Sequence, residues 1–391
     1  MTKHRYRYRT TVVCAALSAL SLLGVPAASA AATAPAPSAE RTAPASAHPA
    51  DGIRAQAVAG IEDRTARTLA ASLGRPAWRS EIRNAALTSP AVTLGSLVDK
   101  PGSPAAESLK SAIADADRDL ARAKGLRAGT GSLLQLRLGD SSMRRALGAG
   151  AEPVVAAAPS DDDTTAVTAY DSRGRTHLLD MRKIPERPVY VIDLDGDKAV
   201  AAGMAVLREQ FAAHGLSGPA TPPAAATANG FWTSRISSVR LSDDEEPWVK
   251  GDAEIYSLVT GFGLDGKVRV DPVDMPYLDE DGKTYSPNQI LVNWSTYKYN
   301  LADVVMMEED GSTNYRALAT AIAGVLLTIA DLGAYIPLVN AVLDAMPDDW
   351  WTDDPDYVDS WYTLAQSLSG SSGGARDNGS MTLEPYWVSG F

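Results

Sequence analysis

Apolar residues along the chain recur first at helical spacing and later at strand spacing. In Ile61–Leu73, the residues Ile61, Leu69 and Leu73 stand among Arg, Asp and Glu at intervals that put them on one helical face. Trp78, Ile82, Ala86 and Leu87 give a second amphipathic run, and Ser108–Lys124 a third, closed by Gly125. The period then changes. Val154–Ala158 reads as a strand, Val167–Tyr170 and Thr176–Leu179 as a hairpin around Asp171-Ser-Arg-Gly174, and Pro188–Ile192 as a strand of the buried type. Ala199–His214 returns to helical spacing and stops at Gly215. Further on, Arg235–Leu241 and Ala253–Val259 alternate, and Gln289–Trp294 and Leu301–Met307 complete four strands. Tyr315–Met346 is predicted helical. Its uncharged stretch, Ala317–Ala330, is 14 residues long, which suits a buried helix better than a membrane span, and Gly333 and Pro337 are expected to break it into a hairpin.

These elements predict an α+β chain in three folded parts: an N-terminal helical domain (53–150), a small α/β unit (151–216), and a C-terminal β-sandwich (230–391) with a helical insertion at 315–346. The Ala/Pro-rich segments 31–52 and 217–229 bury too little apolar surface to fold, and are expected to be a tether and a linker.

The start of the chain has the grammar of an export signal. Lys3, Arg5, Arg7 and Arg9 precede an uncharged run, Thr11–Val25, and Ala28-Ser29-Ala30 is a small-x-small cleavage site. Residues 1–30 are therefore expected to be removed near Ala30, leaving an extracellular protein with no membrane span. Cleavage would also remove Cys14, the single cysteine, and with it any disulfide, thiolate metal site or cysteine nucleophile. A mature chain of this length can bury a large core without such staples.

Charge separates the two ends. Residues 230–391 hold 26 Asp and Glu against nine Lys and Arg, a net charge of −17, so residues 1–229 carry +5 of the total of −12. Seven of the eight tryptophans also fall in the acidic part. With no basic stripe, nucleic acid is not an expected partner. No H-E-x-x-H motif occurs, and the sequence is read as holding no G-x-S-x-G nucleophile elbow. A Ser-His-Asp site would need His177 or His214, each of which reads more simply as a strand or helix-end residue.

Three acidic clusters stand at predicted strand ends: Asp243, Asp244 and Asp252 between the first two strands of the sandwich, Asp279 and Asp281 in a turn, and Glu308 and Asp310 after Met307. Calcium takes six to eight hard oxygens from such loops, so Asp243, Asp244, Asp252, Asp279, Asp281 and Asp310 are the candidate Ca²⁺ ligands. The competing reading is a solvated acidic surface. Trp294, Tyr297 and Tyr299 form a candidate stacking surface for a glycan.

The run Val189-Tyr-Val-Ile-Asp193-Leu-Asp195-Gly-Asp197 resembles the first signature of haloacid-dehalogenase-like phosphatases. That resemblance implies a nucleophilic Asp193 and acid/base Asp195, although Asp197 replaces the expected Thr, and a plain strand ending in an Asp-Gly turn accounts for the same residues. The order strand, acidic loop, strand, with a further acidic loop after Met307, resembles a C2-type sandwich, though Glu254-Ile-Tyr256 stands where that family has D-P-Y. Glu246–Tyr256, Asp274–Leu278 and Asp344–Asp349 resemble a family of secreted bacterial proteins with a domain of unknown function, a likeness that implies fold but no activity. The expected function is thus a secreted, non-enzymatic binding or surface-interaction protein that uses Ca²⁺. The alternatives are a hydrolase using carboxylates, phosphatase-like or glycosidase-like, and a glycan-binding module.

Overall fold

The computed structural model describes residues 49–159, 164–217, 230–242, 254–278, 280, 282–309, 313–346 and 357–390. Its N-terminal elements are α1 (Pro49–Ser72), α2 (Pro76–Thr88), β1 (Ala91–Thr93), α3 (Leu94–Val98), α4 (Glu107–Ala123), β2 (Leu134–Leu138), α5 (Arg144–Gly148), β3 (Val154–Ala157), β4 (Ala166–Tyr170), β5 (Thr176–Asp180), β6 (Val189–Leu194) and α6 (Gly196–Ala213). The C-terminal elements are β7 (Phe231–Leu241), β8 (Ile255–Phe262), β9 (Val268–Asp274), β10 (Thr284–Tyr285), β11 (Gln289–Asn293), β12 (Leu301–Glu308), α7 (Tyr315–Leu326), α8 (Val339–Asp344), β13 (Tyr357–Ala365), β14 (Gly370–Gly373) and β15 (Gly379–Val388).

The first sheet has the order β1-β2-β6-β3-β4-β5, with β3 and β6 parallel and every other pair antiparallel. It joins what the sequence divides at residue 150. β2 comes from the predicted helical domain, yet it pairs along its length with β6, Leu134 opposite Leu194 and Leu138 opposite Tyr190. Leu134, Leu136 and Leu138 are buried on one side of β2, and this alternation makes it an interior strand. The residues described between 57 and 216 are therefore one α/β assembly, with α1 laid on β3 and β6.

The C-terminal part has two antiparallel sheets. One runs β10-β7-β15-β14, with β11 also on β7. The other runs β13-β12-β8-β9. Ile236, Val239, Met381 and Leu383 from the first meet Val259, Val304, Met306 and Trp361 from the second in one apolar cluster. The opposite face of the second sheet is covered too. Tyr256, Leu258, Val305 and Met307 share a second cluster with Leu207 and Phe211 of α6, Tyr315 and Ile322 of α7, and Val155 and Ile192 of the first sheet. β8 is consequently buried at every position from Ile255 to Phe262. The core is continuous from the first sheet through α6 and α7 into the second.

Between β12 and β13 the chain is helical over only part of the predicted 315–346 stretch, and the break comes before Gly333 and Pro337. α7 ends at Leu326, and only the six-residue α8 follows. Among the described residues, no helix is long and apolar enough to cross a membrane.

Candidate binding site at the acidic end of the sheets

Described residues that flank the acidic stretches of the sequence meet at one end of the C-terminal sheets. β8 and β12 are antiparallel with Ile255 opposite Glu308, and the Glu309 N–H donates to the Glu254 carbonyl at 3.0 Å. The end of the first acidic segment thus lies against the start of the third. Met275 N–H donates to Ile255 O (3.0 Å), which brings the turn after β9 to the same end. Gly282 N–H donates to Leu241 O (2.9 Å), and the Arg240 Nε–H to Gly282 O (2.8 Å), so the Glu280–Gly282 turn sits beside the start of the first segment. β13 begins here as well, with Tyr357 opposite Met307. The proposed ligands Asp243, Asp244, Asp252, Asp279, Asp281 and Asp310 lie outside the described residues. Among the described residues, no group of three or more His, Cys, Asp or Glu is arranged to hold a metal.

Behind this end lies a buried charge cluster. Lys124, at the C-terminal cap of α4, is fully buried, and its ammonium pairs with the carboxylate of Glu309, whose side chain is 1 % exposed. The Tyr315 hydroxyl donates to the other oxygen of the same carboxylate. The local sequence fixes this arrangement. Asn314 caps α7 by accepting from Ala317 N–H (3.0 Å), and its amide donates to Ala123 O (2.6 Å). The Tyr315 N–H donates to Lys124 O at 3.1 Å, so the C-terminus of α4 docks on the N-terminus of α7. Gly125 has φ +64°, and a side chain there would run into Asn314.

Two further carboxylates border the cluster. Glu62 on α1 is buried, and its carboxyl is held well above the usual range, first by burial and then by the charge of Asp193; Lys124 and the Leu194 N–H offset this in part. The Glu254 carboxyl lies against Gly196, in the first turn of α6, where the helix dipole favours a negative charge.

The Asp193-x-Asp195-x-Asp197 run serves the fold. Asp193 pairs with Arg137 Nε across β2 and β6 at 3.1 Å. Asp195 caps α6 through Lys198 N–H (3.2 Å) and pairs with the Lys198 ammonium, which also donates to Thr93 Oγ1 at 2.8 Å. His177 faces Asp171 within the β4–β5 hairpin at 3.2 Å.

The aromatic candidates also have interior work. Trp294 and Tyr297 are 4 % and 2 % exposed, packed against each other with centroids 5.8 Å apart, and the Trp294 indole donates to Ser234 Oγ at 3.0 Å. Their faces are turned into the inter-sheet core and offer no stacking surface. Tyr299 is half-buried, in edge-on contact with Phe262 and Tyr335, and its hydroxyl donates to Asp331.

One spacing was overlooked in the sequence. Gly370-Ser-Ser-Gly-Gly374 fits G-x-S-x-G, but it lies on β14 and turns back into β15 rather than into a helix, so it is not a nucleophile elbow.

These features define a mixed α+β protein with a core that runs between its sheets. A family model described as Protein of unknown function (DUF3103) matches residues 66–390, and the chain belongs to that family. The match reaches into α1 and β15, well beyond the motifs that suggest a family in the sequence. No curated protein and no solved structure matches the chain.

Proposed function

We propose that the protein is an exported, non-enzymatic binding protein that holds Ca²⁺ in the acidic segments at the end of β8 and β12. Export rests on the leader pattern of residues 1–30. The observation that carries the binding reading is the Glu309 N–H to Glu254 O bond, which holds Glu254, at the start of β8, against Glu309, just after β12. That many carboxylates leaving one sheet end repel one another, and a divalent cation relieves the repulsion with the hard oxygens it prefers. The arrangement also agrees with the likeness to C2-type sandwiches, whose ion-binding loops share one end. A carboxylate hydrolase is less favoured, because Asp193, Asp195 and Glu309 are each engaged by a cation or a helix terminus.

Thermal melting of the mature chain in EDTA and in millimolar calcium tests the proposal. Calcium at a hundredfold excess over its dissociation constant adds about 2.7 kcal/mol of stability, a rise of several degrees. The Asp243→Asn/Asp310→Asn variant should lose that rise while melting in EDTA at or above the parent's temperature. Identical melting of the parent chain in the two buffers would refute calcium binding.

A further inference from the structure

Lys124 and Glu309 meet with almost no solvent around them, their side chains 0 % and 1 % exposed. The Lys124 ammonium reaches Oε1 of the carboxylate, and the Tyr315 hydroxyl donates to Oε2, so the two oxygens have different neighbours. Burial, and then the charge of Glu309, holds the Tyr315 phenol well above its ordinary pKa, so that it stays a donor. The backbone on each side is fixed. Tyr315 N–H donates to Lys124 O (3.1 Å), the Asn314 amide to Ala123 O (2.6 Å) and Glu309 N–H to Glu254 O (3.0 Å). Amine and carboxyl are thereby kept in contact by elements that cannot drift apart.

Two charges held this way are a weak source of stability by themselves, because each has been stripped of water and their attraction does little more than offset that cost. Proton transfer within the pair leaves a primary amine against a carboxylic acid, two neutral groups in a dry setting. A second acid is close enough to feel the Lys124 charge. Glu62 on α1 is buried, also senses Asp193 and the Leu194 N–H, and holds its proton to higher pH than an ordinary carboxyl, chiefly through burial. With one cysteine in the chain, no internal disulfide can form. Residues 124 and 309 stand 185 positions apart, so a covalent link between them would close a long loop between α4 and the end of β12.

We propose that Lys124 and Glu309 condense within the folded protein to an intramolecular isopeptide bond. A proton passes from the ammonium to Oε1, and the lone pair of the freed amine attacks Cδ of Glu309. The Tyr315 hydroxyl stabilises the negative charge that gathers on Oε2. The new Nζ–Cδ bond is kept and the Cδ–Oε1 bond breaks. Glu62 gives a proton to the departing hydroxyl and takes one back from the nitrogen, so it ends as it began. The products are one amide and one water; nothing is oxidised or reduced, and no co-reactant is consumed. Contact between the two groups supplies the effective concentration that amide formation in water lacks, and exclusion of water protects the amide once made.

Intact-mass measurement of the purified, denatured protein tests this and needs no variant to fold. The parent is expected to weigh one water less than its sequence counted from the measured N-terminus. Digestion should release a branched peptide that joins residues 124 and 309. Lys124→Met should show its full sequence mass and migrate differently from the looped parent on a denaturing gel. Glu62→Gln should leave part of the protein uncondensed, seen as two masses one water apart. A parent at full sequence mass would overturn the proposal. So would a missing water that persists in Lys124→Met, or one that maps to an Asp-Gly step such as Asp195-Gly196 while residues 124 and 309 appear in separate, unmodified peptides. Complete condensation in Glu62→Gln would overturn the part given to Glu62.

Discussion

Replacing Lys124 by Met should be among the most damaging single changes in this protein. Lys124 is fully buried and Glu309 has 1 % of its side chain exposed, so their pairing takes place without water. Removing the ammonium leaves a buried carboxylate, still accepting from the Tyr315 hydroxyl, without the cation that balances it. Breaking a buried pair this way costs about 3–5 kcal/mol, whereas removing both charges together is close to neutral or favourable. Lys124→Met is therefore expected to destabilise by about 4 kcal/mol and Glu309→Gln by about 3 kcal/mol, with the double variant losing less than half their sum. Gln is the appropriate partner because its carbonyl still accepts from Tyr315. Urea unfolding followed by tryptophan fluorescence measures all four proteins at one pH. The reasoning fails if Lys124→Met costs less than about 1 kcal/mol, or if the two single losses add in the double variant.

Two other perturbations follow from the same region. The Glu62 carboxyl has its folded-state pKa raised, so its contribution to stability is fully present below the ordinary carboxyl range and is lost as pH climbs through the raised value. Glu62→Gln should flatten the fall in stability between mildly acid and alkaline pH, and an unchanged pH profile would sink this assignment. Gly203 in α6 faces the buried ring of Tyr315, where an added methyl would overlap the aromatic carbons. Gly203→Ala should cost about 2 kcal/mol in chemical unfolding despite its better helix propensity, and a stabilised variant would contradict that packing.

The elements that could be read in the sequence are those with a single uninterrupted period. α2, α4, α6, β7, β8, β11 and β12 all fall within a few residues of their predicted limits. β9 escaped notice because Pro272 interrupts Val268–Asp274. An edge strand tolerates proline, and β9 is the edge of its sheet. β13 was obscured by Asp359 and Ser360, which read as surface residues but are buried. Asp359 accepts Gly379 N–H at 2.7 Å and Asn378 N–H at 3.1 Å, tying β13 to the β14–β15 turn. The division at residue 150 failed for another reason. Leu134–Leu138 alternates perfectly well, but five residues among helical runs signal little until the partner strand is known.

The site was legible by a different measure. Strand order alone implied that two acidic segments leave one edge, and the Ile255–Glu308 register places the start of β8 beside the end of β12, while the acids themselves lie outside the described residues. What alternation could not supply was the second neighbour of each face. Trp294 and Tyr297 look available on an isolated strand, and only the opposing sheet shows their faces to be occupied. Lys124 likewise reads as a solvated helix end, and Glu309 as one more acid in an acidic run. The structure separates Glu309 from that run. Held by Lys124 and Tyr315, it anchors the base of the segment and is not a free carboxylate for a cation. Any calcium at this end must then draw on the acids beyond it, which makes the Lys124–Glu309 pair a support for the site and not part of its ligand set. A calcium response that survives in Lys124→Met at a lowered melting temperature would be the signature of that division of labour.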